Sequence, residues 1–153
     1  MARLSIPQDV SFSDLLISSY RKIVGTSLVP GEVPGAAAAE WLYRAPFGVL
    51  AQDTSPDPRF VYANLAAQRR FEYSWQEFMG MPARLSAEPQ NQDQRRAFMD
   101  SVLEQGYVSG YEGRRIAKSG RRFLIQDVTV WNVVDAEGTL RGQAALIRRS
   151  SDA

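Results

Sequence analysis

The sequence predicts an α+β domain: a five-stranded antiparallel sheet with short helices on one face and an N-terminal helical extension. Three stretches carry that prediction. Phe60 to Pro82 reads as a short strand followed by two short capped helices, and helices of so few turns are marginal alone and must lie on something larger. Arg121 to Val134 is almost a continuous run of β-formers. Thr139 to Ile147 alternates, placing Leu140, Gly142, Ala144 and Leu146 on one face.

Along the chain, Met1 to Val10 shows no periodicity and is expected to fray. Ser11 or Ser13 is expected to cap a helix running to about Val24, with Gly25 as its stop. Leu15, Leu16, Tyr20 and Ile23, flanked by Ile17 and Val24, form its apolar stripe. Pro30 to Gly35 is a linker by composition. Ala36 to Tyr43 forms an Ala-rich helix stopped before Pro46. Phe47 to Gln52 is the first strand, and Ser55-Pro56-Asp57-Pro58 turns the chain into the second, Phe60 to Ala63.

Asn64 caps the next helix, and Ser74 with Glu77 forms a capping box for the one after, which Gly80 and Pro82 stop. Ala83 to Pro89 is irregular. Gln90 to Gln105 is the longest helix, with Phe98, Met99 and Val102 on its buried face and Gly106 as its stop. Tyr107 to Ala117 is the third strand, and its Gly110 and Gly113 suggest a bulge. In the fourth, Arg121 to Val134, strict alternation mixes apolar and polar residues on both faces, which fits a sheet at least partly covered on both sides. One bulge near Gln126-Asp127 brings Phe123, Ile125, Val128 and Val130 together inside and leaves Trp131 outside.

Several of these pieces resemble a known family. Tyr62-Ala63-Asn64 running into small helices and then into Gly80-Met81-Pro82 resembles the first half of a PAS domain. Arg114 to Phe123, with its Lys118-Ser119-Gly120 turn, resembles a PAS hairpin, and Val133 to Gly142, with Asp135-Ala136-Glu137-Gly138 at its tip, resembles the last one. Ser19-Tyr20-Arg21 with Gly25, Trp75, Ala87-Glu88-Pro89, Arg121-Arg122-Phe123, Val130-Trp131-Asn132 and Gly142-Gln143-Ala144-Ala145 are similar to the pattern of the MEKHLA family of PAS-like domains. Members of that family occur as small bacterial proteins and at the C-terminus of plant class III homeodomain leucine-zipper factors. The resemblance covers roughly Leu15 to Ile147. It implies a PAS-like domain over residues 36–149, preceded by a helix and linker over 1–35 and followed by a tail over 150–153. It also implies that the helix from Gln90 to Gln105 crosses the concave face of the sheet and walls any cavity there.

Composition narrows the chemistry. Eighteen Lys and Arg against seventeen Asp and Glu leave no global field drawing the chain to nucleic acid. No apolar run approaches the ~18 residues of a membrane span, and no secretory signal opens the chain, so a cytoplasmic location is expected. The sequence has no Cys and no His. That excludes thiolate and imidazole zinc sites, Cys nucleophiles and Ser-His-Asp triads. It also excludes the LOV-type flavin adduct, a Cys-tethered chromophore and the His-ligated haem that the PAS resemblance brings to mind. A Met-ligated haem, a non-covalent flavin and an unidentified small molecule stay open.

The resemblance places Tyr62, Phe71, Tyr73, Trp75, Phe78, Phe98 and Tyr111 around the central cavity, with Asn64, Gln126 and Gln143 as polar members. Such a lining suits a small-molecule site; the same residues equally describe a filled core, and Asn64 is already accounted for as a cap. Leu16, Tyr20 and Trp131 are the candidate interface residues, because helices preceding a PAS core commonly pair between subunits in proteins this chain resembles. Packing of that helix on its own domain stands level with this. Arg114, Arg115, Lys118, Arg121 and Arg122 form a basic hairpin, for which a solvated face is a plainer reading than an anion site. Asp53 and Asp57 read as turn formers, and Glu88 shows no partner. The expectation is a stand-alone PAS-like sensory or regulatory module, not an enzyme, that binds a small molecule, a protein partner or a second copy of itself. The alternatives are an interaction domain with a filled core, or a small acid–base enzyme resting on Asp127, Glu88 or a Tyr.

Overall fold

The structure, a computed structural model, describes residues 10–31 and 35–153; the expectations for the first nine residues and for 32–34 in the linker lie outside it. The elements run α1 (Val10–Val24), α2 (Gly35–Tyr43), β1 (Gly48–Gln52), β2 (Phe60–Ala63), α3 (Leu65–Phe71), α4 (Trp75–Phe78), a 3-10 turn (Ala83–Ser86), α5 (Pro89–Gln105), β3 (Tyr107–Ile116), β4 (Arg122–Val134) and β5 (Leu140–Asp152). The five strands form one antiparallel sheet in the order β2-β1-β5-β4-β3. This is the expected α+β architecture. Both short helices start as expected, Asn64 accepting from the Ala67 amide and Ser74 forming a capping box with Glu77.

β4 is long enough to serve two cores, and a bulge divides it between them. Asp127 takes a left-handed backbone (φ 53°), a conformation Asp tolerates better than most residues. From Ile125 to Val128 β4 advances three residues while the paired stretch of β3, Gly113 to Tyr111, spans two. Phe123, Ile125, Val128 and Val130 therefore share the inner core with Phe71, Phe78 and Val102, whereas Trp131 and Val133 face the other way.

That other side is not solvent. α1 and α2 cover it, and Trp131 is completely buried. Its indole N–H donates to Ser19 Oγ at 3.1 Å, and the Tyr20 ring meets it edge-on, with centroids 4.8 Å apart. Leu16 and Tyr20 are buried in the same cluster. The expectation of Leu16, Tyr20 and Trp131 as interface residues is thus corrected: all three sit in the core of their own chain. The physical reason lies in Ser13 and Ser19, which are small enough to bring α1 close to the sheet, and both are buried with Leu16 and Tyr20.

Two boundaries also move. α1 begins at Val10, ahead of both serines expected to cap it. β5 continues to Asp152, which pairs with Phe123, so the residues expected as a tail extend a strand. α1 shares its core with the sheet rather than standing apart from it.

Leu16→Asp places an unpaired charge in this core. It is expected to destabilise the fold by roughly 3 kcal/mol or more, read as a lower urea midpoint at every protein concentration. A well-folded variant altered only in its sedimentation mass would return Leu16 to an interface.

Candidate functional site

The site is built where α5 lies on the inner face of the sheet. The last carbonyls of a helix have no intrahelical donors, and here Asn132 of β4 supplies some. Its Nδ2 donates to the carbonyls of Val102 at 3.2 Å and Leu103 at 3.3 Å. Gln143 of β5 donates from Nε2 to the Met99 carbonyl at 3.0 Å and to Asn132 Oδ1 at 3.3 Å. These two amides pin α5 so that Arg95, Phe98, Met99 and Val102, spaced along one helix face, meet the sheet.

Phe98 stacks on Tyr111 of β3 with centroids 3.7 Å apart and planes 11° from parallel. Arg115 folds back over the same ring, its guanidinium 5.7 Å from the centroid and its Nη2 3.4 Å from the hydroxyl. Gly113, between them in sequence, makes room: a Cβ there would lie 2.5 Å from the Tyr111 hydroxyl and 2.8 Å from Arg115 Nη1. Arg95 donates from Nη2 to Gln52 Oε1 at 2.8 Å, and its Nε is sealed from solvent without an acceptor. Among the described residues neither Arg95 nor Arg115 pairs with a carboxylate. Burial first, then the neighbouring Arg115 charge, pushes the Arg95 pKa down to about 9, against a smaller opposing effect of Tyr111. An arginine keeps its proton at neutral pH, so the fold carries this as an electrostatic cost.

Two spaces share a border here. The inner one, about 40 Å³, lies between α5 and the sheet against Phe71, Phe98, Tyr111 and Ala145. The outer one is a cleft of about 340 Å³ between the β1–β2 turn, α5 and the start of β5. Gln52, Arg95, Met99 and Gln143 border both. The turn wall is held by Asp53, whose Oδ1 accepts from the Ser55 amide (3.2 Å), the Ser55 hydroxyl (2.7 Å) and the Arg59 amide (2.9 Å). Burial pushes its carboxyl up, but these donors, led by the Arg59 amide, outweigh it and leave the pKa below the ordinary value. Asp57 pairs with Arg84 at 3.2 Å.

Of the residues expected around a cavity, Phe71, Phe98, Tyr111 and Gln143 line the inner space. Phe78 packs behind its wall, against Phe60, Phe71 and Tyr73. Tyr62 and Trp75 do not line it; they meet edge-to-face at 5.6 Å within the outer core. Tyr62 pairs with Ala51 while Phe60 pairs with Gln52, so Val61 is skipped and the strand changes face between the two aromatics. Asn64 is saturated by structural bonds: Oδ1 accepts from the amides of Val49 (2.9 Å) and Ala67 (3.2 Å), and Nδ2 donates to the carbonyls of Leu42 (3.0 Å) and Phe47 (2.9 Å). Gln126 sits on the bulge and accepts from Ser151 Oγ at 3.1 Å, away from the cavity.

The basic hairpin divides. Lys118 pairs with Glu77, Arg121 with Glu72 and Asp152, and Arg122 with Glu88, which supplies the partner the Glu88 reading lacked. Neither Arg114 nor Arg115 pairs with a carboxylate among the described residues; Arg114 is exposed, whereas Arg115 is buried and turned inward. Arg95 and Gln52 are site residues that the sequence reading missed. Arg95 stands three and four residues before Phe98 and Met99, on the stripe already assigned to the buried face. Among the described residues no group of three or more His, Cys, Asp or Glu is gathered as a metal site needs, and no helix is long and apolar enough to cross a membrane.

The model of the MEKHLA domain matches residues 10–151. The chain belongs to the MEKHLA domain family. No curated protein matches it. Solved structures give this MEKHLA domain its fold. A PAS domain from Colwellia psychrerythraea aligns with a TM-score of 0.61 at 16% identity, over 75% of this chain and 92% of that one. An RNA-binding light-oxygen-voltage receptor gives 0.64 at 22%, over 83% of this chain and only 36% of that one. A light-oxygen-voltage domain whose description names a flavin analogue gives 0.60 at 20%, over 75% and 83%. At such identities what is shared is the PAS fold. A flavin does not fit the inner face of this MEKHLA domain. The stacked Phe98–Tyr111 pair and Met99 leave about 40 Å³ there, against ~300 Å³ and upward for cofactor-sized sites, and no Cys stands ready to form an adduct.

Because its folded pKa is depressed, Asp53 contributes stability that is present above the unfolded carboxyl pKa of about 4 and is lost as pH falls through the folded value. Asp53→Asn is therefore expected to lower the urea midpoint at pH 7, with the gap from the parent chain closing as the pH is taken below about 4. A gap that stays constant down to pH 2 would mean that the turn does not use the charge.

Proposed function

We propose that this MEKHLA domain is a non-catalytic sensory module that takes a small molecule into the cleft beside the β1–β2 turn, with the inner cavity as its deep end. The observation that carries this reading is the border that the two spaces share, formed by Gln52, Arg95, Met99 and Gln143. A cleft of about 340 Å³, a volume typical of small-molecule sites, is bordered by two amides, a guanidinium and a thioether that also line the smaller inner space.

The same border supports a route for the response. Gln143 borders the site and also holds the Met99 carbonyl of α5, so a molecule that competes for this amide favours a different seating of the helix. A ligand moves such an equilibrium only through different affinities for the two states. The output then passes to a protein partner or a second copy of the chain. Acid–base catalysis has little to rest on: Asp53 is engaged by its own turn, Asp57 by Arg84 and Glu88 by Arg122. A second reading, an interaction domain with a filled core, is favoured by the small size of the inner space alone.

The test is thermal denaturation against a library of small metabolites. The ligand-binding reading expects a saturable rise in melting temperature, equivalent to about 2.7 kcal/mol at a hundredfold excess over Kd. It also expects Ala145→Leu, which fills the inner space, to fold and to lose the response. A library without any stabilising compound would favour the filled core.

A further inference from the structure

The deep end of the site holds two cations, Arg95 and Arg115, that pair with no carboxylate among the described residues. Arg95 places one bond on Gln52 and keeps a sealed Nε–H without an acceptor. Arg115, buried across from it, donates from Nη1 to the Arg114 carbonyl at 2.7 Å and from Nη2 to the Tyr111 hydroxyl at 3.4 Å. Of the hairpin cations, Lys118, Arg121 and Arg122 each find a carboxylate, and Arg114 is exposed to solvent, so Arg115 is the one of them that is both buried and, among the described residues, unpaired. A buried charge is costly unless it is paired and hydrogen-bonded. A guanidinium presents its donors as a planar fork that matches the two oxygens of a carboxylate.

We propose that the site takes a small monocarboxylate, with its carboxylate group in the inner cavity between Arg95 and Arg115 and the rest of the molecule in the outer cleft. This deepens the ligand-binding reading and rests on it. Size and charge both limit the class. A space of about 40 Å³ has room for roughly three water-sized groups, which is what the three heavy atoms of a carboxylate require. The outer cleft is bordered by Asp53, Asp57, Asp93 and Asp100 against Arg84, Arg95 and Arg96, an excess of one negative charge. A second carboxylate on the ligand meets net repulsion there, whereas a hydroxyl or an ammonium group does not.

The experiment follows the arginine Nε–H signals of the full chain by ¹H–¹⁵N correlation spectroscopy. Acetate, lactate, pyruvate and alanine are titrated at constant ionic strength, with succinate, inorganic phosphate and acetamide alongside. The Arg95 signal, assigned by its absence from Arg95→Gln, is expected to move saturably with at least one monocarboxylate, less with succinate, and not with phosphate or acetamide. Arg95→Gln and Arg115→Gln should each weaken that binding by about thirtyfold or more. Without ligand, Arg95→Gln should melt at the parent temperature or about 2–4 °C above it, because a half-buried charge with a sealed, unpartnered Nε–H has been removed.

Phosphate alone moving the signal, a monocarboxylate bound equally by Arg95→Gln, or no response to any monocarboxylate would each overturn the inference. So would a ligand-free melting temperature several degrees lower in Arg95→Gln, which would make Arg95 a structural partner of Gln52. A neutral compound that stabilises the parent and Arg95→Gln alike would remove the carboxylate and leave the ligand-binding reading standing. A library with no stabilising compound of any charge would remove both.

Discussion

One sheet serves two cores, and everything else in the domain follows from how its strands change face. A regular strand sends every second side chain to the same side, so β4 on strict alternation would put Asp127 and Thr129 with Phe123 and Ile125. The left-handed turn at Asp127 breaks that alternation. Such a backbone costs about 1–2 kcal/mol. Burying Trp131 alone returns more, since ~200 Å² of side chain at ~25 cal/mol per Å² is about 5 kcal/mol. β2 repeats the device at Val61, which separates Phe60 of the inner core from Tyr62 of the outer.

Each core then has its own use. The outer one fastens α1 through the Trp131–Ser19 bond and the Tyr20 ring. The inner one is held by aromatic pairs at its far end, Phe71 with Phe123 and Phe78, and by amides at its near end, where Asn132 and Gln143 hold α5. Aromatic pairs fill space, whereas amides hold a helix by directional bonds that another polar molecule can replace. The core is therefore packed by rings at its apolar end and held by directional bonds at its polar end. The unneutralised Arg95 and Arg115 stand at that polar end.

How much of this is legible in the sequence depends on the range of the interaction. Caps act within three residues, and those of α3 and α4 can be read directly at Asn64 and Ser74. The other three bonds of Asn64, to Leu42, Phe47 and Val49, connect residues too far apart in the chain to be inferred from spacing. The bulge of β4 is legible because a long strand offers enough alternation to violate. The switch in β2 is not, because a four-residue strand offers almost none. A stripe counted in apolar residues overlooks Ser19, although its hydroxyl is the partner of Trp131. Arg95 lies on the stripe assigned to the buried face, yet its charge argues for a solvated position, since charged side chains are ordinarily exposed. The family resemblance holds over residues 10–151, yet a shared PAS fold says little about what a site holds, since function resides in the side chains grafted onto it.

The central claim is that the polar end of the inner core is a site for a small acid. Native mass spectrometry of the chain purified from its host, beside Arg95→Gln purified in the same way, addresses it most directly. The account predicts a reproducible extra mass on the parent chain, identified after release as a monocarboxylic acid and missing from the variant. A bare mass on the parent chain, or an occupant retained equally by Arg95→Gln, would contradict it.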